Sequence, residues 1–442
     1  MNKSIGMKKL VQVLLLSIVF MFSNTLCLKS QVGANITSWK INTTGQKGQY
    51  YASNGTTVNN LNDSTEVLKV CYNADTVWVR ASLLPGFIIG PWPGDPFIAA
   101  AQNKSYIFPR NPAYPTTNHP TKNVGAQALL INGVIAYDDA DGKSYSTSTG
   151  KNENNGGGIW NQIAWVAHIS EVDAGNGHPD PHNTYHNHHN PIKLCSVTSG
   201  TAHSPLIGWA FDGNPIYGPF GYSTPTNTAS AIKRMTPSWA LRSISTRTAL
   251  YTGSVTSQAG PAISAQFPLG TYIEDYGYTA NSGDLDFYNG RYCYTPEFPN
   301  GTYAYFLNTD NSGNPQYPNM IGPKYYGSIF AANFGPTGGN ASAPKSSKVC
   351  YTSGGTGTVS AVPMNENGES LVIFPNPASD KLTLQFEGAL ESIFIYNSEG
   401  KIVYTGHTST NVIDIQHYSP GIYFVVARSN QQTEVRQRFV KQ

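Results

Sequence analysis

The chain has 442 residues, 28 basic and 26 acidic side chains and a formal net charge of +2, with only 12% of residues charged. That length predicts two or three folded units and a sizeable buried core rather than one small domain. The near-balanced charge leaves no basic stripe to release counterions from nucleic acid, which excludes that class of partner.

The N-terminus carries Lys3, Lys8 and Lys9, runs apolar over 10–22 (LVQVLLLSIVFMF) and turns polar over 23–30. A cationic end, a short apolar core and a polar exit predict a secretory signal over 1–30, since a membrane-spanning helix needs about 20 apolar residues. Cys27 follows Leu26 without the small residues that lipid attachment prefers. Residues 1–30 hold four lysines and no acid or arginine, so their removal leaves 24 basic against 26 acidic side chains. No later apolar run reaches spanning length, so no integral membrane span is expected after signal removal.

Residues 31–65 are rich in Asn, Thr and Gly and predict a loosely ordered lead-in to a β-rich domain over 66–352. Heavy use of Gly, Pro and Tyr (43, 29 and 27 residues) suits short strands joined by turns, because Gly supplies positive φ and Pro fixes φ. Val77, Val79 and Ala81 alternate with Thr76, Trp78 and Arg80, the period of a strand. The string GPWPGDP at 90–96 ends it, since three prolines remove donors within seven residues. Two β-favouring runs then flank Asn132-Gly133, which predicts a hairpin closed by a type I′ turn. The DDADG string at 138–142 lacks the downstream Glu of a calcium loop and reads as a solvated turn. A short helix is expected over 229–243, and the aromatic stretch 282–327 contains at least one buried strand. A Gly/Ser/Thr-rich linker is expected at 353–370. The last segment, 371–442, gives short alternating strands, with Leu382, Leu384 and Phe386 on one face, separated by Pro or Gly turns. The fold class is therefore mostly β: an irregular β-rich domain followed by a small immunoglobulin-like β-sandwich.

Four cysteines follow the signal: Cys71, Cys195, Cys293 and Cys350. In an oxidising compartment they predict two disulfides, with three possible connectivities. Cys71 and Cys350 share the string KVCY, a hint that they tie the two ends of one domain together.

The functional signal lies in 173–222. Ten histidines occur in the chain, and His178, His182, His186, His188 and His189 fall within twelve residues, with His168 and His203 just outside. On an extended segment, residues two apart share a face at about 6.5–7 Å, so His186 and His188 can converge on one ion. Pro179 and Pro181 exclude a regular helix and imply a loop that folds back. Neutral imidazole suits zinc and copper, whereas calcium and magnesium prefer oxygen. The sharp reading is thus a transition-metal site of zinc or copper, led by His178, His186 and His188, with His182 or His189 filling or flanking it and Asp212 or Asp173 as an additional carboxylate. The plain reading is a solvated structural loop, with Asp212-Gly213 a simple turn. Glu297 is a second carboxylate to watch for proton transfer. No HExxH, GxSxG or phosphate-loop motif is present, and the letters HNH at 186–188 lack the nuclease's dispersed arrangement.

Residues 74–327 resemble the YHYH-domain family, named for a Tyr-His-Tyr-His string. The resemblance rests on GPWPGDP, INGV at 131–134, Gly177-His178, TYHNHHNP at 184–191, Cys195, SPLIGWAFDGNPIYGPFGY at 204–222, NGR at 289–291, TPEFPNGTYAYF at 295–306 and IGPKYYG at 321–327. Asn187 replaces the second tyrosine, while both signature histidines survive as His186 and His188. The resemblance supplies a domain identity and no reaction. Residues 371–442 resemble the sorting domain of the Bacteroidetes type IX secretion system through FPNPASDKL at 374–382, NSEGK at 397–401, IDI at 413–415, SPGIYFV at 419–425 and the basic ending RFVK. That implies handling by the type IX secretion machinery, export across the outer membrane and release or attachment at the cell surface. The two functional expectations are an exported metal-binding protein and, alternatively, a non-catalytic adhesion or glycan-binding module with a structural histidine loop.

Overall fold

Alternating apolar residues punctuated by Gly, Pro and Asn give many short strands and almost no helix. The computed structural model describes residues 33–122, 125–153, 157–334, 338–343, 348–352, 370–387, 390–407, 412–429 and 434–442. The expected secretory signal at 1–30, Cys27 and, apart from Ser370, the expected linker at 353–370 lie outside the described residues. In chain order the elements are α1 (Ala34–Thr37), β1 (Lys47–Tyr51), β2 (Val58–Ser64), β3 (Val67–Tyr72), β4 (Thr76–Ala81), β5 (Lys104–Pro109), β6 (Ala126–Leu130), β7 (Ile135–Tyr137), β8 (Ala140–Ser146), β9 (Lys151–Glu153), β10 (Asn161–Ile163) and α2 (Ala164–His168). There follow β11 (Gly177–Pro179), β12 (Tyr185–Asn187), β13 (Leu206–Ala210), β14 (Pro215–Tyr217), β15 (Phe220–Tyr222), β16 (Ile232–Arg234), β17 (Trp239–Leu241), β18 (Tyr276–Tyr278), β19 (Gly290–Cys293), β20 (Thr302–Phe306) and β21 (Val349–Thr352).

The frame is an eight-stranded sheet ordered β11-β12-β7-β6-β13-β14-β20-β19. It is parallel at β12/β7 and β14/β20 and antiparallel elsewhere. Its central strands are buried: Leu129, Leu130, Ile135, Ile207, Trp209 and Ile216 are all within 1% of full burial. A four-stranded antiparallel sheet, β21-β3-β4-β5, accompanies it. In β4, Val77, Val79 and Ala81 are buried as the alternation predicts, Arg80 is exposed, and Trp78 is buried too.

The Asn132-Gly133 hairpin forms with a different turn from the one expected. Gly133 has φ +77° while Asn132 stays at negative φ. Gly133 N–H donates to Leu130 O and Leu130 N–H to Val134 O, both at 2.9 Å. That is a three-residue loop ending on a left-handed glycine. The β13–β14 connection repeats it: Gly213 (φ +83°) donates to Ala210 O at 2.8 Å, and Ala210 to Asn214 O at 3.0 Å. A Cβ on either glycine would lie 2.7 Å from main-chain atoms, of Glu66 and Pro109 respectively, so both positions exclude a side chain by space as well as by φ.

Three expectations are corrected. The lead-in 31–65 is structured from residue 34 onward, with a β1–β2 hairpin, buried Ile36 and Trp39, and Asn42 donating to the carbonyls of Gln46 and Thr65. Over 229–243 there is no helix but the two strands β16 and β17. Pro237 lacks an N–H, and Asp284 captures both the amide (3.0 Å) and the hydroxyl (2.8 Å) of Thr236. Of the two expected disulfides only one is present. Cys71 and Cys350 are cross-strand partners in β3/β21 and are bonded across 279 residues. Cys195, in the loop between β12 and β13, and Cys293, in β19, are buried thiols, and burial pushes both up, Cys195 to about 12, so neither is a reactive thiolate.

The C-terminal segment forms β22 (Ser370–Phe374), β23 (Lys381–Glu387), β24 (Leu390–Tyr396), β25 (Ile402–His407), β26 (Val412–Asp414), β27 (Gly421–Ser429) and β28 (Glu434–Lys441). Two sheets, β22-β23-β26 and β25-β24-β27-β28, share one core that includes Leu382, Leu384, Ile395, Val425 and Phe439, with Phe386 packed against it. This is the expected small sandwich.

A non-reduced digest is expected to join the Cys71 and Cys350 peptides and to leave Cys195 and Cys293 alkylated only after denaturation. Cys71→Ser/Cys350→Ser should lower stability by about 2–5 kcal/mol in chemical denaturation. A Cys195–Cys293 crosslink in the native digest contradicts this structure.

Candidate metal centre

The centre grows from one edge of the large sheet, where β11 and β12 pair and His178 stands directly across from His186. Proline at 179 and 181 forces the intervening chain into a turn. The Asp180 carboxylate closes it by accepting the amides of His182 (2.8 Å) and Thr184 (2.9 Å), and Tyr137 donates to the other oxygen at 3.0 Å.

Successive side chains of the signature serve opposite faces. Tyr185 donates to the Asp173 carboxylate at 3.0 Å; that carboxylate also accepts the amides of Gly90 (2.8 Å) and Gly175 (2.7 Å). Asn187 donates to the carbonyls of Gly175 (3.0 Å) and Asn176 (2.7 Å). Residues 185 and 187 therefore bolt down the 173–177 loop and the start of GPWPGDP. Asn187 performs this task with its own amide where the signature has a tyrosine. His186 and His188 are left for the other face, with Tyr137 stacked on His186 at 4.1 Å between ring centroids.

His186 Nδ1 is 3.0 Å from Thr184 O, and His188 Nδ1 is 2.8 Å from Asp138 O. A carbonyl only accepts, so each ring carries its proton on Nδ1 and presents an Nε2 lone pair. The two Nε2 atoms face each other at 3.0 Å. Two lone pairs at that distance repel unless a cation lies between them. The spacing is close to the roughly 3.3 Å between nitrogens that each lie 2.0–2.1 Å from a tetrahedral zinc. His178, His186 and His188 each offer a ligand atom within 4.8 Å of the others. His178 is 5% exposed, and among the described residues neither of its ring nitrogens has a hydrogen-bond partner. Asp95, from GPWPGDP, stands 3.4 Å from His178 Nδ1, within ion-pair reach but outside hydrogen-bond geometry.

Next to this trio is a carboxylate-rich wall. His168, at the end of α2, contacts Asp141 Oδ1 through Nε2 and lies 2.5 Å from Glu171 Oε2 through Nδ1. Lys143 pairs with Asp141 at 3.3 Å. Together these groups line a cavity of about 480 Å³ that includes Asp95, Asp141, His168, Glu171, His178 and His188. Burial, with neighbouring imidazoles adding to it, holds His178 down to about 2 and His186 well below its usual range. Burial also holds His188 down to about 4 and His189 down to about 3. These rings are neutral at pH 7 and competent to ligate. His168 differs: burial pulls it down, but Asp141 and Glu171 outweigh burial and raise it.

Of the residues singled out in the sequence, His178, His186 and His188 come together. His182 is exposed on the turn and engages through its main chain. His189 is buried beside Trp165, ring centroids 6.3 Å apart, with both nitrogens unbonded among the described residues. Asp212 lies in the β13–β14 turn, where its carboxylate accepts Tyr305 Oη (2.6 Å), Gly327 N (2.8 Å) and Asn214 Nδ2 (2.8 Å), and it does not line the cavity. Asp173 is saturated by the donors above, and the exposed Glu297 accepts Tyr217 Oη at 2.8 Å. Sequence reasoning missed Asp95, Asp141 and Glu171. Asp95 and Asp141 sit in strings already singled out, GPWPGDP and DDADG, while Glu171 carried no local signal.

A family described as "YHYH protein" matches residues 105–318, and the "Secretion system C-terminal sorting domain" matches 372–442. The chain carries a YHYH domain and a C-terminal secretion sorting domain. The tail indicates handling by the type IX secretion machinery and secretion across the outer membrane to the cell surface or extracellular space. Among the described residues no helix is long and apolar enough to cross a membrane. Comparison with curated proteins returns no match. Among solved structures, PorZ, an essential surface component of the type-IX secretion system of Porphyromonas gingivalis, is similar at 12% identity, over 89% of this chain and 41% of PorZ's, with a TM-score of 0.15. A TM-score that low carries no argument. Motifs later in the chain act as scaffold: Asn289 donates to the carbonyls of Phe306 and Met320, and Tyr325 to that of Gln127.

The depressed histidines fix a pH dependence. Their unfolded forms take up protons as pH falls through about 6.5, while the folded rings stay neutral down to about 4, 3 and 2 for His188, His189 and His178. Stability is therefore full above pH 6.5 and lost as pH falls below it; His168, raised, works in the opposite sense. Thermal unfolding between pH 7 and 4.5 is expected to show this loss. His189→Met should reduce the proton uptake on unfolding by about one per chain, read from the slope of stability against pH. An unchanged slope in that variant contradicts a neutral, buried His189.

Proposed function

We propose that the YHYH domain of this protein is an extracellular transition-metal-binding domain whose ion, zinc or copper, is held by His178, His186 and His188. The observation that carries this reading is the pair of Nε2 lone pairs turned on each other at 3.0 Å by carbonyl-bonded Nδ1 protons, with a third unbonded imidazole alongside. An imidazole-only donor set suits zinc or copper and disfavours calcium and magnesium. A four-coordinate ion held by these three ligands would keep one position for water, next to the cavity that His178, His186 and His188 line. Zinc held this way would lower the pKa of a bound water, and copper would add redox chemistry.

Protein purified without a histidine tag is expected to retain at least one transition-metal ion per chain by elemental analysis. His186→Ala/His188→Ala should lower metal affinity by about 100-fold or more, while His182→Ala and Asp212→Asn should leave it unchanged. Absence of tightly bound metal after zinc or copper loading, with glycan-array binding that survives the double change, supports the adhesion reading instead.

A further inference from the structure

We propose that the cavity takes a second divalent transition-metal ion, bound by His168, Glu171 and His178, with His178 shared between the two ions. The inference rests on the three-histidine site above and extends it to a two-ion centre.

His168, Glu171 and His178 each present a ligand atom within 4.8 Å of the other two, and His178 is the member common to both trios. An imidazole has two nitrogens, and the three-histidine site needs one. Both nitrogens of His178 are buried and, among the described residues, have no hydrogen-bond partner. One ion leaves the other nitrogen, with its N–H proton, unexplained; two ions use both nitrogens, with that proton released to solvent so that His178 bridges as imidazolate.

His168 is oriented as a metal ligand is. Asp141 engages its Nε2 and is itself paired to Lys143, which leaves Nδ1 aimed at the Glu171 carboxylate 2.5 Å away. A carboxylate that fixes one ring nitrogen while the other turns to an ion is the recurrent outer partner of histidine ligands. The proton between Nδ1 and Glu171 occupies the position where a dication would lie. Asp95, Asp141, Glu171 and Asp180 line the cavity with Lys143 among the described residues, so the wall around the second trio is acidic. The second donor set, two imidazoles and one carboxylate, accepts zinc as readily as the first.

The test is metal stoichiometry on the full, untagged protein, stripped with chelator and titrated with Zn²⁺ against a chromophoric competitor. Two equivalents are expected for the wild type. One is expected for His168→Gln/Glu171→Gln, and Glu171→Gln alone should weaken the second equivalent by about 100-fold. His186→Ala/His188→Ala should lose the first equivalent, and thermal unfolding of each stripped variant checks that it folds. A wild type that binds one equivalent, unchanged in His168→Gln/Glu171→Gln but lost in His186→Ala/His188→Ala, overturns the second ion and keeps the three-histidine site. A single equivalent that depends on Glu171 and not on His186 and His188 overturns both, as does no binding.

Discussion

The centre depends on two protons. Because the Nδ1 hydrogens of His186 and His188 are committed to main-chain carbonyls, their Nε2 atoms have no choice of direction. One carbonyl, that of Thr184, belongs to the residue just before β12 and comes with the strand. The other, that of Asp138, is imported from the corner between β7 and β8 and has to be held in place. Lys122 holds it: its ammonium lies 3.2 Å from Asp138 Oδ2, 3.5 Å from Asp139 Oδ2 and 2.8 Å from Ile321 O, nearly out of contact with water. Isolated buried charges cost several kcal/mol each, so such a cluster persists only as a matched set. Burial pushes Asp139 up against the pull of Lys122, while both carboxylates raise Lys122 against its own burial. The string that reads as a solvated turn in the sequence is thus a buried ionic hinge, and it aims a histidine.

What the sequence revealed follows from what local pattern encodes. Alternation of side chains along a short strand placed His186 and His188 on one face and residues 185 and 187 on the other, and that needed no tertiary information. The C-terminal sandwich was legible for the same reason, since Leu382 and Leu384 alternate into its core. The Cys71–Cys350 bridge was hinted at by a repeated string: the two KVCY strings run antiparallel across β3/β21, and their cysteines fall opposite each other. Long-range convergence was not encoded locally. Asp95 reaches His178 across 83 positions of chain, and Asp141 reaches His168 across 27. Asp212 misled because an Asp-Gly pair near a histidine cluster resembles a donor, whereas in space it does for β13–β14 what Asn132 does for β6–β7. The absent helix at 229–243 turns on Pro237 together with a carboxylate, Asp284, that arrives from 48 residues away.

Two buried imidazoles in this domain share a defect, and their surroundings separate them. Among the described residues His178 and His189 each have two ring nitrogens without a hydrogen bond, a state that costs about 1–3 kcal/mol per unsatisfied group. His189 faces Trp165, an aromatic ring that offers apolar contact and little else. Its cost is uncompensated by anything in reach, so it is a structural expense of the loop. His178 faces His186, His188, His168 and Asp95, a set of lone pairs and negative charge within a few ångströms. The Nδ1 hydrogens of His186 and His188 are already committed, so the single N–H of a neutral His178 is left to serve several acceptors, and one proton cannot satisfy them all. Positive charge placed among them satisfies all of them together. The same unsatisfied state is therefore a burden at residue 189 and a binding energy held in reserve at residue 178.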